Sequence, residues 1–138
     1  KHLNLPMKIK ETKIKTFQAS IFIGLEYGYT QKNIDENLVI ESLSELQKQL
    51  SKEKDIFLSA SVSKTVIVLN SQKEQHLKID FINYPKFPLS EKIFKNEVLN
   101  IGKALMKQFE QNRILIIYTD ETVMLEQSNE IDPRIRGE

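Results

Sequence analysis

Three tyrosines, a lysine and an arginine are the residues of this sequence whose types best suit a small-molecule site. Aromatic rings provide flat walls, and Lys and Arg donate hydrogen bonds to anionic groups. We therefore predict that an anionic or planar ligand binds at these residues, provided that the fold brings them together. The alternative is that the tyrosines close one end of the core and keep their hydroxyl groups in water. The five predicted ligand-binding residues are Tyr27, Tyr29, Tyr84, Lys86 and Arg113.

No catalytic residue is assigned from the sequence, because no acid, base or nucleophile comes with neighbours that would hold it in place. Asp120 and Glu121 are adjacent, and adjacent residues point to opposite faces of a strand or meet solvent at a turn. His76 opens a predicted strand beside a polar turn, where a solvated histidine is commoner than a general base. These patterns favour a protein that is not an enzyme.

Composition restricts the classes of site. The chain has 138 residues, the size of one domain, with no cysteine, two histidines and a net charge of +1. Thiol chemistry, disulfides and thiolate metal sites are excluded, and we predict no metal and no cofactor. A nearly neutral chain is not expected to bind nucleic acid, and no apolar run approaches the ~20 residues of a membrane helix.

Three segments are distinguished along the chain. Residues 1–16 form a basic N-terminal arm, residues 17–126 a single α+β domain, and residues 127–138 a C-terminal tail. The sequence begins with Lys1 rather than Met, as after removal of a signal peptide or a leader. We expect a soluble protein that is either cytoplasmic or exported.

Six segments with alternating or helical periodicity supply the elements. The order strand, helix, strand, strand, helix, strand resembles that of the ferredoxin-like plait, the split β-α-β superfold. The middle pair of strands reads as a hairpin joined by the polar turn at residues 71–75, and a further C-terminal strand at residues 122–126 is possible. The predicted elements are Phe17–Leu25, a helix capped by Asp35 or Asn33 that runs to about Lys52, Ile56–Asn70, His76–Tyr84, a helix from Ser90 to near Gln111-Asn112, and Arg113–Tyr118.

The resemblance implies a four-stranded antiparallel sheet of order 4-1-3-2 with both helices on one face. We expect strands 1 and 3 to be central and parallel, so that their C-terminal ends lie side by side. That arrangement would place Tyr27 and Tyr29 beside Tyr84 and Lys86, and Arg113 would enter at the same end.

The face of the sheet opposite the helices carries apolar side chains that a monomer would leave in water. We therefore predict a homo-oligomer or a protein partner at this face, and a non-enzymatic binding or assembly module as the function. A small-molecule binder or small enzyme that uses the tyrosine, lysine and arginine residues is the alternative. The predicted interface residues are Phe22, Ile67, Leu69, Ile82 and Ile117.

RNA-recognition domains share the predicted element order. The stretch Ile21-Phe22-Ile23-Gly24 resembles the first-strand motif of that family, and Phe81-Ile82-Asn83-Tyr84 resembles the end of its third-strand motif. The resemblance implies that Phe22 and Phe81 stack on bases. The same alignment would turn Lys78 and Asp80 into the core, so this remains the weaker alternative.

Overall fold

The computed structural model describes residues 8–30 and 32–136. Residues 1–7 of the predicted arm and residues 137–138 of the predicted tail lie outside this range. The described strands are β1 (Gln18–Gly24), β2 (Glu26–Tyr27), β3 (Lys32–Asn33), β4 (Ser59–Leu69), β5 (Gln72–Ile82), β6 (Arg113–Tyr118) and β7 (Thr122–Glu126). The helices are α1 (Glu36–Lys54) and α2 (Glu91–Gln108), followed near the C-terminus by a short 3₁₀ turn, Pro133–Arg136.

Both helices begin at side-chain caps. Asp35 accepts a hydrogen bond from the amide of Asn37, and Ser90 accepts one from the amide of Ile93, so each cap satisfies an otherwise unpaired N–H group. The apolar stripes of the helices, represented by Val39 and Phe94, are fully buried in one core with the inward-facing residues of β1, β5 and β6. The helices therefore cover one face of the sheet and leave the other open.

The predicted four-stranded plait is wrong. The main sheet has five antiparallel strands in the order β4-β5-β1-β6-β7, and β2 pairs with β3 in a separate two-stranded ribbon. The fifth strand is Thr122–Glu126, which pairs with residues 113–117 of β6 and places Arg113 opposite Glu126. The sequence leaves undecided whether residues 122–126 form a strand, and the structure shows that they do.

The predicted parallel arrangement of the two central strands is also wrong. The crossover through α1 returns the chain in its original direction, and the hairpin then reverses it, so β5 runs antiparallel to β1. The start of β1 consequently pairs with the end of β5, with Gln18 opposite Ile82. Its end pairs near the start of β5, with Gly24 opposite His76. Segments that follow β1 and β5 therefore lie at opposite ends of the sheet.

The hairpin turn is shorter than the sequence predicts. Residues 70–71 make the turn, with Asn70 in a left-handed conformation at φ 56°. Asn is among the residues that tolerate this conformation, and two-residue turns favour it. The polar residues from Gln72 to Gln75 therefore belong to β5 and pair with Val66 to Leu69. The hairpin extends beyond the end of β1 and carries polar side chains with it.

All five predicted interface residues lie on the open face, as the strand register shows. Four of them are substantially exposed, from 37% for Ile67 to 51% for Leu69, and Phe22 is half-buried. Neither of the two described helices is long and apolar enough to cross a membrane.

Candidate functional site

A cavity of about 540 Å³ opens where β1 ends, within the size range of small-molecule sites. Its walls come from the end of β1, the β2 ribbon, the start of β5, the β6–β7 pair and the segment after β7. We call residues 127–136, the segment after β7, the C-terminal strap. The cavity is therefore lined by residues that lie far apart in the sequence, from Gly24 to Arg134.

Gln111 supports the floor of the cavity. Its side chain is buried and accepts a hydrogen bond of 2.9 Å from the amide of Gly24 at the end of β1. Its Nε2 donates to the carbonyl oxygens of Glu26 at 3.1 Å and Phe109 at 3.0 Å. One side chain thus joins β1, β2 and the end of α2 through hydrogen bonds to three backbone groups.

Arg113 lies on the open face at the start of β6 and forms one wall. Its Nε donates to Oε2 of Glu126 at 2.7 Å, across the β6–β7 pair. Its Nη1 donates to the hydroxyl of Tyr29 at 2.7 Å and to the carbonyl of Glu130 in the strap. Pairing with Glu126 raises the pKa of Arg113. The guanidinium therefore stays charged and holds a loop, a strand and the strap together.

The strap forms another wall of the cavity, and an ion-pair network holds it there. Asp132 is buried, with 3% of its surface exposed, and accepts hydrogen bonds from Nε and Nη2 of Arg134 at 2.9 and 2.8 Å. Arg134 also donates to Glu26 at 3.1 Å, which ties the strap to β2. The hydrogen bonds from Arg134 lower the pKa of Asp132, so this carboxylate is charged at neutral pH.

The cavity carries more negative than positive charge. Four carboxylates and two guanidinium groups line it, which leaves a formal charge of −2 while His76 is neutral. Glu26, Glu126 and Asp132 each pair with an arginine. Glu74 instead accepts a hydrogen bond of 2.7 Å from the side-chain amide of Gln72. No cationic side chain among the described residues forms an ion pair with Glu74. Glu74 is therefore the carboxylate whose charge is least compensated.

His76 lies two residues beyond Glu74 on β5 and lines the same cavity. Burial lowers its pKa below the usual 6.5, against the opposing influence of the Glu74 carbonyl and of the Glu74 and Glu26 carboxylates. The imidazole is therefore neutral at pH 7, and it adds no positive charge to the cavity.

The structure separates the five predicted ligand-binding residues. Tyr29 and Arg113 line the cavity and contact each other. Tyr27 packs against Phe109 at the edge of the core, with ring centroids 6.5 Å apart. Tyr84 and Lys86 lie beyond the end of β5, at the far end of the sheet, where Tyr84 stacks on Phe87 at 6.1 Å. The five residues do not form one rim, because β5 runs antiparallel to β1.

Most cavity residues were not identified from the sequence. Gln72 and Glu74 were assigned to a turn, so their positions on a strand could not be recognised. Asp132 and Arg134 were assigned to a tail, although an Asp followed by Pro and Arg is a pattern that can begin a helical turn. The residues missed are Glu26, Gln72, Glu74, Gln111, Asp132 and Arg134.

The titratable pair Asp120 and Glu121 lies at the β6–β7 turn, away from the cavity. Lys95 of α2 binds both carboxylates, at 3.1 and 2.6 Å, and its Nζ lies 4.9 Å from the centroid of the Tyr118 ring. The opposite charges satisfy each other, so this cluster is a structural contact between α2 and the turn.

Comparison with known proteins finds likeness in structure alone. The sequence matches no protein-family model and no curated protein. A solved structure of a phage SAM lyase in the apo state matches with a TM-score of 0.60 and 19% identity, covering 93% of this chain and 99% of that one. A phage SAM lyase in complex with S-methyl-5'-thioadenosine matches with a TM-score of 0.62 and 20% identity, covering 91% of this chain and 100% of the other.

These matches share the fold over nearly the whole chain, and both are structures of an enzyme. The predicted function, a non-enzymatic binding or assembly module, is therefore wrong.

Proposed function

We propose that this chain is a lyase that cleaves S-adenosylmethionine (SAM) and releases S-methyl-5'-thioadenosine. The observation that carries the proposal is the likeness to the thioadenosine-bound phage SAM lyase, which covers 91% of this chain and all of the other. A cavity of about 540 Å³, suited to a small molecule, supports it.

The charge of the cavity suits this substrate. SAM carries a positive charge on its sulfonium sulfur, and the cavity has a formal charge of −2 while His76 is neutral. Glu74 is the carboxylate without an ion-pair partner among the described residues, so we assign it to the sulfonium. Opposite charges at close range in a partly enclosed site attract more strongly than they do in water. Glu74 is a binding residue in this proposal.

The reaction itself needs neither water nor a redox group. The bond between the sulfonium sulfur and the γ-carbon of the amino-acid part breaks, and its electron pair remains on sulfur, which becomes a neutral thioether. The γ-carbon of the four-carbon fragment, which has lost its bond to sulfur, gains a new bond in one of two ways. Either the fragment loses a β-proton and that electron pair forms the bond, or an oxygen of its own carboxylate bonds to the γ-carbon. The positive charge on sulfur disappears during this step, so the acidic cavity binds the product more weakly than the substrate and favours its release.

Tyr29 and Arg113 are the predicted ligand-binding residues that reach the cavity. We propose that Arg113 binds the carboxylate of the amino-acid part, because a guanidinium pairs well with this group. Tyr29 holds Arg113 in position through the hydrogen bond of 2.7 Å. The apolar side chains of Leu25, Met124 and Ile131, which also line the cavity, suit the uncharged portion of the substrate.

Product analysis tests the proposal directly. The purified protein is incubated with SAM, and the products are separated by liquid chromatography and identified by mass. We expect S-methyl-5'-thioadenosine to form in proportion to enzyme concentration and above the rate in a heat-denatured control. Absence of this product, with SAM recovered intact, would refute the lyase proposal. Formation of S-adenosylhomocysteine instead would indicate methyl transfer and also contradict it.

A further inference from the structure

The side-chain amide of Gln72 links the C-terminal strap to Glu74, the carboxylate assigned to the sulfonium. We propose that Gln72 and Asp132 are positioning residues that couple closure of the strap to the binding of a cation at Glu74. The inference rests on the proposed function only in taking that cation to be SAM. The contacts themselves do not depend on the identity of that cation.

Gln72 uses both N–H groups of its side chain on carboxylates. Its Nε2 donates to Oε2 of Glu74 at 2.7 Å and to Oδ2 of Asp132 at 3.0 Å. Gln72 and Glu74 are two residues apart on β5, so their side chains project from the same face. The strand thereby places the amide beside Glu74, and the strap brings Asp132 to its other hydrogen.

The orientation of this amide is fixed by charge. If the group were turned over, its Oε1 would face two carboxylates, which repel an acceptor. In the observed orientation Oε1 is buried and accepts no hydrogen bond from the described residues. A buried acceptor without a partner is unfavourable. The contacts to the two carboxylates outweigh that cost, so the link between Glu74 and Asp132 is specific.

Asp132 is the strap residue that accepts the hydrogen bond from Gln72. It is buried, and it accepts hydrogen bonds from the amide, Nε and Nη2 of Arg134, in addition to that from Gln72. These donors hold the carboxylate in one orientation within the strap. When the strap is closed, Asp132 therefore positions Gln72, and Gln72 in turn positions Glu74.

The strap depends on side chains for its position. Gln127 is joined to Asn112 by a backbone hydrogen bond, but no backbone-to-backbone bond ties the described residues 128–132 to the sheet. Among the described residues, the hydrogen bonds that join the strap beyond Gln127 to the rest of the domain are those of Arg113 with Glu130, Gln72 with Asp132 and Arg134 with Glu26. Elements held in this way open at low free-energy cost. The strap can therefore respond to what binds in the cavity.

Linkage makes the coupling reciprocal. If the closed strap holds Glu74 in the orientation that favours a cation, a bound cation favours the closed strap by the same free energy. A neutral ligand in the same cavity makes no such contact with Glu74. SAM should therefore stabilise the strap, whereas S-methyl-5'-thioadenosine, which lacks the positive charge, should not.

Hydrogen exchange measured by mass spectrometry tests the coupling. We expect saturating SAM to slow exchange of the strap amides about tenfold, and saturating S-methyl-5'-thioadenosine to slow it less than about twofold. Gln72→Ala should remove the SAM effect and raise the KM for SAM about tenfold, with kcat changed less than about twofold. Gln18→Ala is the matched control, because Gln18 lies on the same open face at the other end of the sheet and does not line the cavity.

The outcomes separate the two proposals. Retention of SAM protection in Gln72→Ala, or equal protection by both ligands, would overturn the coupling even if the protein cleaves SAM. A wild-type protein that neither binds nor cleaves SAM would refute the lyase function. In that case, exchange of the strap amides without added ligand tests the link: faster exchange in Gln72→Ala than in Gln18→Ala supports it, and equal exchange overturns it.

A second variant separates loss of the link from misfolding of the protein. Asp132→Asn keeps the shape of the side chain but removes the charge that attracts Arg134, and we expect it to reproduce the loss of SAM protection. Thermal unfolding of both variants identifies any global destabilisation. A purely structural role for Gln72 would lower Tm and leave the ratio of the two ligands' protection unchanged.

Discussion

Arg113 donates a hydrogen bond of 2.7 Å from Nη1 to the hydroxyl of Tyr29, joining the first residue of β6 to the loop after β2. The two residues are 84 positions apart in the sequence. The contact orients a guanidinium whose Nε is already held by Glu126. It makes the phenol part of the cavity wall.

Tyr29→Phe should weaken SAM binding, because it removes the hydrogen bond that fixes one branch of Arg113. We expect KM to rise about fivefold, the range of one hydrogen bond. Steady-state kinetics with SAM measures the change. Tyr84→Phe is the matched control, since Tyr84 lies at the far end of the sheet. An equal effect of Tyr84→Phe would contradict the assignment of the site to this cavity.

Glu74→Gln should distinguish the substrate from the product. The change keeps the size of the side chain and removes the charge assigned to the sulfonium. We expect the Kd for SAM to rise about tenfold and the Kd for S-methyl-5'-thioadenosine to stay within about twofold. Titration calorimetry measures both. Glu130→Gln is the control, because this nearby exposed carboxylate does not line the cavity. A parallel loss for both ligands would show that Glu74 does not recognise charge.

Much of the fold could be predicted from periodicity. The buried faces of β1 and α2 follow alternation and the 3.6-residue repeat, so residues such as Ile21, Ile79 and Val98 are identified as core. The strand directions were the error, because the turn and the α1 crossover together determine that β5 runs antiparallel to β1. That single error placed Tyr84 and Lys86 beside Tyr29.

The candidate site was harder to predict, because its residues come from segments with no periodic pattern. Arg113 and Tyr29 were identified by type alone. Glu74 was hidden by the misplaced turn, since a short run of polar residues suits an exposed strand as well as a loop. Asp132 depends on a contact across 60 residues with Gln72, and nothing local in the sequence indicates such a contact.

His76 predicts how stability depends on pH. Its pKa is lowered in the folded protein by burial, so the unfolded chain binds the proton more readily. Stability from this group is therefore complete above the unfolded value of about 6.5, and it is lost as the pH falls through the folded pKa. We expect Tm to fall between pH 7.5 and pH 5, and His76→Gln to flatten that slope.

The same titration affects the ligand. Protonated His76 adds positive charge beside Glu74 and Glu26, so SAM binding should weaken over the same pH range. The control is S-methyl-5'-thioadenosine, whose neutral thioether should bind with a smaller dependence on pH. An unchanged slope of Tm in His76→Gln would assign the pH dependence to other groups.

Self-association through the open face stays a prediction. Ile82 and Ile117 are exposed by 40% and 39% on that face, and burial against a second copy would remove them from water. We expect sedimentation velocity to detect an oligomer and Ile82→Glu to dissociate it. Ile93→Glu is the control, because Ile93 is similarly exposed but belongs to α2, on the other side of the sheet. A monomer at high protein concentration would contradict the prediction.

Gln111 offers a test of how the cavity floor is built. Gln111→Ala would remove the hydrogen bonds that this side chain makes with the amide of Gly24 and the carbonyls of Glu26 and Phe109. Losing several hydrogen bonds of a buried side chain is costly, so we expect a loss of about 2–3 kcal/mol in the free energy of unfolding. Chemical denaturation measures it. Gln108→Ala is the matched control, because that exposed side-chain amide bonds to Ser42 alone among the described residues, and its loss should cost less than about 1 kcal/mol. Equal losses for the two variants would mean that water replaces Gln111 at the floor.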